Sequence, residues 1–136
     1  MNRVEFQSLA MERCEDARAL LQLGRYAGAY YISGYAIECG LKAVIASQTK
    51  QDDFPAKHAS KYYVHDLTVL KDLAGLKSAL DQETAADKLF RDNWQIVKDW
   101  NEESRYQSRG QKEAEAIVAA VTNDEDGVLQ WLKRSW

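Results

Sequence analysis

The chain has a single proline and seven glycines in 136 residues. So few breakers leave little material for turns, and long uninterrupted helices are the expectation. Two cysteines, Cys14 and Cys39, fall short of a zinc quartet, and neither histidine stands at zinc-finger spacing from them. Both lie on predicted apolar helix faces, where reduced and buried thiols are expected. No run reaches the ~18–20 apolar residues of a membrane span, because Glu38 and Lys42 interrupt the longest candidate. The N-terminal segment MNRVEFQSLAMERCEDAR is charged along its whole length, which excludes a signal-peptide core. These absences predict a soluble, cytoplasmic protein without a membrane partner. Excess positive charge is also missing. A net charge of −3 and a pI of 5.4 argue against a basic surface that coats nucleic acid, though not against a local basic pocket.

Signatures of standard cofactor chemistry are lacking too. There is no HExxH, no Glu-x-x-His pair of the di-iron type, no calcium loop, no GxSxG, and no Walker or GxGxxG glycine loop. The glycine-flanked GYAIECG at 34–40 lies inside a predicted helix rather than after a strand. Neither a cofactor nor a metal is expected.

What is present is ordinary globular composition, 46% hydrophobic and 29% charged, at a length that fits one domain over residues 1–136. The first helix is predicted from Arg3 to Leu23, with Val4, Leu9, Cys14, Ala17, Leu20 and Leu21 as its apolar stripe. Gly24 suits the left-handed position that ends a helix, and a second helix runs from Arg25 to about Ser47. So short a link makes the two antiparallel neighbours. This second helix, rich in small residues and tyrosines, is apolar nearly all round and must be enclosed by its own bundle or by a partner.

Residues 48–64 read as a loop. Asp66 is placed to cap a short helix that ends near Gly75. A further helix is predicted over Glu83–Asn101. Ser108 and Gln111 have capping-box form ahead of another helix, as do Thr122 and Glu125 ahead of the last apolar residues, Val128, Leu129 and Leu132. No two-residue periodicity occurs. The expected fold is all-α, an up-and-down bundle of four to five helices.

Few polar residues stand out. Glu38 and Lys42, four apart in the stabilising order, are compatible with a solvated ion pair at the bundle edge, a polar cleft or a dimer seam. His65–Asp66 reads as a helix boundary with its cap, the alternative being a general base with its orienting acid. His58 has no obvious partner. Arg105 and Tyr106 combine a planar fork for phosphate with a stacking face; Trp100 precedes them and Arg109 follows. The competing reading is a surface loop whose arginines pair with Glu102 and Glu103.

Taken together, GRYAGAYYISGYAIECGLKAVIA at 24–46, HDLTVL at 65–70, WNEESRY at 100–106 and GVLQWLKRSW at 127–136 resemble the HEPN family (higher eukaryotes and prokaryotes nucleotide-binding) in order and separation. The resemblance covers nearly the whole chain. It implies a helical bundle that commonly forms a homodimer and often stands beside a small nucleotidyltransferase partner in toxin–antitoxin or defence systems. Its catalytic branch consists of metal-independent ribonucleases with an Arg-x4–6-His motif, and this chain departs from that pattern. Its histidines are His58 and His65, the nearest arginine before them is Arg25, and no histidine follows Arg105 or Arg109. Two expectations remain. A pocket of Glu38, Lys42, His65, Asp66, Trp100, Arg105, Tyr106 and Arg109 binds a nucleotide, RNA or a protein partner. Alternatively, His65 and Arg105 meet in space as a composite endoribonuclease site. A purely structural dimerisation module is the third possibility.

Overall fold

The computed structural model describes residues 1–49, 52–55 and 60–136; His58 lies outside them. Among the described residues the chain is helical, its one strand-like feature being an isolated bridge between Asn2 and Asp53. Helix α1 spans Arg3–Gln22 and α2 Tyr26–Ser47. Asn2 caps α1 reciprocally, its side chain accepting from the Glu5 amide at 2.9 Å while Glu5 accepts from the Asn2 amide at 2.8 Å. Gly24, at φ 73°, ends α1, and the turn is closed by the Arg25 amide donating to the Leu20 carbonyl at 2.8 Å.

The buried face of α1 is Phe6, Ala10, Cys14 and Ala17. It is rotated from the predicted stripe, for Val4 lies 60% exposed. The two small alanines let α1 approach α2 closely; Leu9, Leu20 and Leu21 of the predicted stripe are partly buried against the core, and Val4 is left outside. From Ser33 to Ala46, α2 is buried apart from Tyr35, the enclosure its apolar sequence demands. Both cysteines are free and buried. No helix among the described residues is long and apolar enough to cross a membrane.

Helix α3 (Leu67–Leu73) follows a 3-10 turn η1 (Ser60–Tyr62) and ends at Gly75, φ 72°. The single helix predicted over 83–101 is two, α4 (Lys77–Ala86) and α5 (Lys88–Lys98). Asp87 divides them: its backbone is extended, and its carboxylate accepts from the Phe90 amide at 3.1 Å. The polar stretch after Trp100 is a 3-10 helix, η2 (Glu102–Tyr106).

Helix α6 (Gln111–Thr122) starts from Gly110, without the capping box predicted at Ser108 and Gln111. Thr122 likewise caps nothing. Its hydroxyl donates back to the Val118 carbonyl at 2.7 Å, while Asn123 accepts from the Glu125 and Asp126 amides and turns the chain into α7 (Val128–Leu132).

Around α2 stand α1, α6, α3, α7 and η2. Two glycines of α2 admit close neighbours. At Gly40 a Cβ would stand 3.0 Å from Leu132 and 3.3 Å from Leu129, so α7 rests on bare backbone there. At Gly34 a Cβ would overlap the indole of Trp100. Trp131 packs on Phe90, ring centres 5.3 Å apart.

We expect Gly34→Ala to lower stability by about 1–3 kcal/mol, the range for overpacking a filled core, measured by chemical denaturation. Truncation after Asp126 removes the buried Val128, Leu129, Trp131 and Leu132, and should lower the melting temperature; unchanged melting would contradict the packing of α7 on α2.

Candidate functional site

Tyr31, Tyr35, Glu38 and Lys42 recur at steps of four, three and four residues, so they lie along one face of α2. The tyrosine rings stack nearly parallel, 6.4 Å apart. Burial pushes the Tyr35 hydroxyl up to about 12, helped by its contact with Cys39 and the nearby Glu38 charge, so it stays protonated at neutral pH. Glu38 is only 3% exposed. Lys42 donates to its Oε2 at 3.1 Å and also stands 5.7 Å from the centre of the Phe54 ring. Of the three readings open for this pair, the solvated edge is excluded.

Asp66 caps α3, accepting from the Val69 amide at 3.0 Å. It does not orient His65. That part falls to Glu38, whose two oxygens lie 3.0 and 3.1 Å from His65 Nδ1. An ionised carboxylate only accepts, so Nδ1 carries a proton toward it. On the opposite edge of the ring, Nε2 stands 3.3 Å from Glu102 Oε2. Because the two acids lie on opposite sides of the ring, they do not converge on a common metal position. Both His65 and Glu102 have half-exposed side chains, so the row Lys42–Glu38–His65–Glu102 runs from the core to the surface.

Glu102 opens η2, and Arg105 follows three residues later. In a 3-10 helix that spacing puts both on one face. The Arg105 guanidinium lies 4.8 Å from the centre of the Tyr106 ring. Proximity to Tyr106, and then to Tyr31, holds it above its already high ordinary range, so it remains a cation. Tyr106 is 77% exposed. Trp100 belongs to the core instead. Its ring fills the gap over Gly34, lies 5.8 Å from that of Tyr31, and donates from Nε1 to the Tyr31 carbonyl at 3.1 Å. It holds η2 against α2 and offers no free face to a ligand.

Arg109 is elsewhere. It lies over Tyr30 at 4.3 Å, pairs with Glu113 at 2.9 Å and donates to Gln107 at 2.6 Å. Tyr30 precedes Glu38 by two turns of α2, about 12 Å of helix rise. There Arg109 lines a separate groove of about 560 Å³ with Arg25, Tyr26 and Ser108. The expected pairing of the loop arginines with Glu102 and Glu103 does not occur among the described residues: Glu102 faces His65, and Arg109 takes Glu113.

A family model for the HEPN domain matches residues 6–135. The chain belongs to the HEPN family. Comparison with curated proteins gave no match, and neither did comparison with solved structures. The helical bundle is thus a HEPN bundle, and its second helix supplies the stripe on which the polar row is built. Three residues of this candidate site were not proposed from the sequence as binding or catalytic groups. Tyr31 and Tyr35 carry a legible signal, their helical spacing from Glu38 and Lys42. Glu102 carries none, since nothing local links it to His65.

Glu38→Leu strands the Lys42 ammonium and should destabilise the protein by about 3 kcal/mol. In the double variant Glu38→Leu, Lys42→Met the loss should fall short of the summed single losses by about 1–2 kcal/mol, read from a denaturation cycle.

Proposed function

We propose that this HEPN domain binds a nucleotide or single-stranded RNA along the face shared by α2 and η2. What supports the reading is the set of groups there: the half-exposed His65, oriented by buried Glu38, and Arg105 against the Tyr106 ring on the same η2 segment whose Glu102 reaches His65. Arg105 supplies a planar, permanently charged fork for a phosphate. Tyr106, with the partly exposed Tyr31 and Tyr35, supplies π faces on which bases stack. Glu38 and Lys42 then act behind the ligand, fixing the imidazole, and Asp66 fixes the start of α3. A net charge of −3 makes this a local site, not a coating surface. One such domain accounts for residues 1–136. It works as a homodimer in the cytoplasm, in a toxin–antitoxin or defence setting, with a nucleotidyltransferase-type protein as the candidate partner.

The second reading is a metal-independent endoribonuclease, favoured by one observation. His65 has the carboxylate-oriented imidazole that a general base requires. His65 Nε2 would take the proton of a ribose 2′-hydroxyl while that oxygen attacks the adjacent phosphorus. Arg105 would stabilise the charged phosphorane. The 5′-oxygen would leave with a returned proton, giving a cyclic phosphate and a 5′-hydroxyl end.

Anisotropy with a labelled oligoribonucleotide separates these readings. Binding is expected, and Arg105→Ala should weaken it by about tenfold, the scale of one charged contact. No binding by the unaltered protein overturns the proposal and leaves a dimerisation module. Cleavage in chelator, abolished by both His65→Ala and Arg105→Ala, is the outcome the enzyme reading requires; intact RNA removes it.

A further inference from the structure

We infer that the Glu102 carboxylate occupies the phosphate position beside His65, so that the domain's own side chain holds the site closed to anionic ligands until it is displaced. The inference rests on the nucleotide reading above and adds a residue that sets affinity.

The geometry has three parts. Glu38 uses the inner edge of His65, with both oxygens near Nδ1, which leaves Nε2 as the ring's one outward nitrogen. Glu102 Oε2 stands 3.3 Å from that nitrogen, an ion-pair distance, so a carboxylate lies where an anion approaching Nε2 would sit. Glu102 also shares a face of η2 with Arg105, the cation that would take the same phosphate. An anion bridging His65 and Arg105 therefore meets a carboxylate already at one end of its path, with like charge against it.

Displacement needs little of the fold to move. Trp100 before η2 and Ser104 within it are buried, and the Asn101 side chain accepts from the Glu103 amide at 2.9 Å, so the backbone of η2 is fixed independently of Glu102. The Glu102 side chain is 49% exposed. A rotamer change releases Nε2 to the ligand without unseating η2. An acid one position later, Glu103, has the same charge but no ion pair among the described residues, and serves as the internal control.

The test compares the unaltered protein with Glu102→Gln and Glu103→Gln by two measurements. In the first, binding of a labelled single-stranded oligoribonucleotide should tighten by about tenfold in Glu102→Gln and by less than about twofold in Glu103→Gln. In the second, carbethoxylation of His65 by diethyl pyrocarbonate, followed by peptide mass spectrometry, should quicken severalfold in Glu102→Gln alone. Equal tightening in both variants reduces the effect to general charge and overturns the proposal, as does an unchanged His65 reaction rate. Failure of every variant to bind the oligonucleotide overturns the nucleotide reading itself, and the ligand of this proposal with it. Retained binding with no preference for Glu102→Gln overturns only the blocking role.

Discussion

The indole of Trp100 fits against α2 because residue 34 carries no side chain, and the placement of η2 depends on that fit. Trp100 closely follows α5, so its seat over Gly34 and its hydrogen bond to the Tyr31 carbonyl fix where the chain re-enters from the surface. Glu102 and Arg105 are then delivered to the side of α2 that bears Tyr31, Tyr35, Glu38 and Lys42. A larger residue at 34 would hold η2 off the helix, and the polar row would lose its outer half. One absent methyl group thus joins two segments that local sequence leaves unrelated.

Glu38 supplies the electrostatic counterpart. A carboxylate this deeply buried requires donors, and it has them from two directions: the Lys42 ammonium one turn along α2, and the His65 imidazole at the head of α3. Lys42 in turn faces the Phe54 ring, so the same charge helps tether the segment after α2. The pair is therefore part of how α2, α3 and the segment at Phe54 hold together, and through His65 it reaches solvent. This is why an ion pair persists on an otherwise apolar helix.

Membership of the HEPN family and departure from its ribonuclease motif fit together in this arrangement. The motif would set a cation and an imidazole a fixed few residues apart. Here the histidine sits at the start of α3 and the arginine on η2, and the bundle brings the two segments alongside the same helix. On the proposed reading, function follows from what that face can bind, and Glu102 decides how readily. Arg109, for all its nearness in sequence to Arg105, is turned to a different task over Tyr30 and α6.

The helical class, the α1–Gly24–α2 hairpin, the cap at Asp66 and the buried apolar α2 were legible from the sequence, because each rests on contacts within a few residues or on helical periodicity. The break at Asp87 was not, since helix-forming residues flank it on both sides and its extended backbone, with the cap it gives to the Phe90 amide, appears only in the fold. Nor were the starts of α6 and α7, where capping-box residues were present but each helix began further along, at a glycine. The site divides the same way. Glu38–Lys42 is a local pair visible at four-residue spacing, whereas Glu38–His65 and His65–Glu102 span separations that only packing closes. The amino-acid order by itself determined which residues are apolar, charged or small, and so the bundle; tertiary structure alone decided which charges meet between segments, because that depends on how closely helices approach across glycine rather than on their distance along the chain.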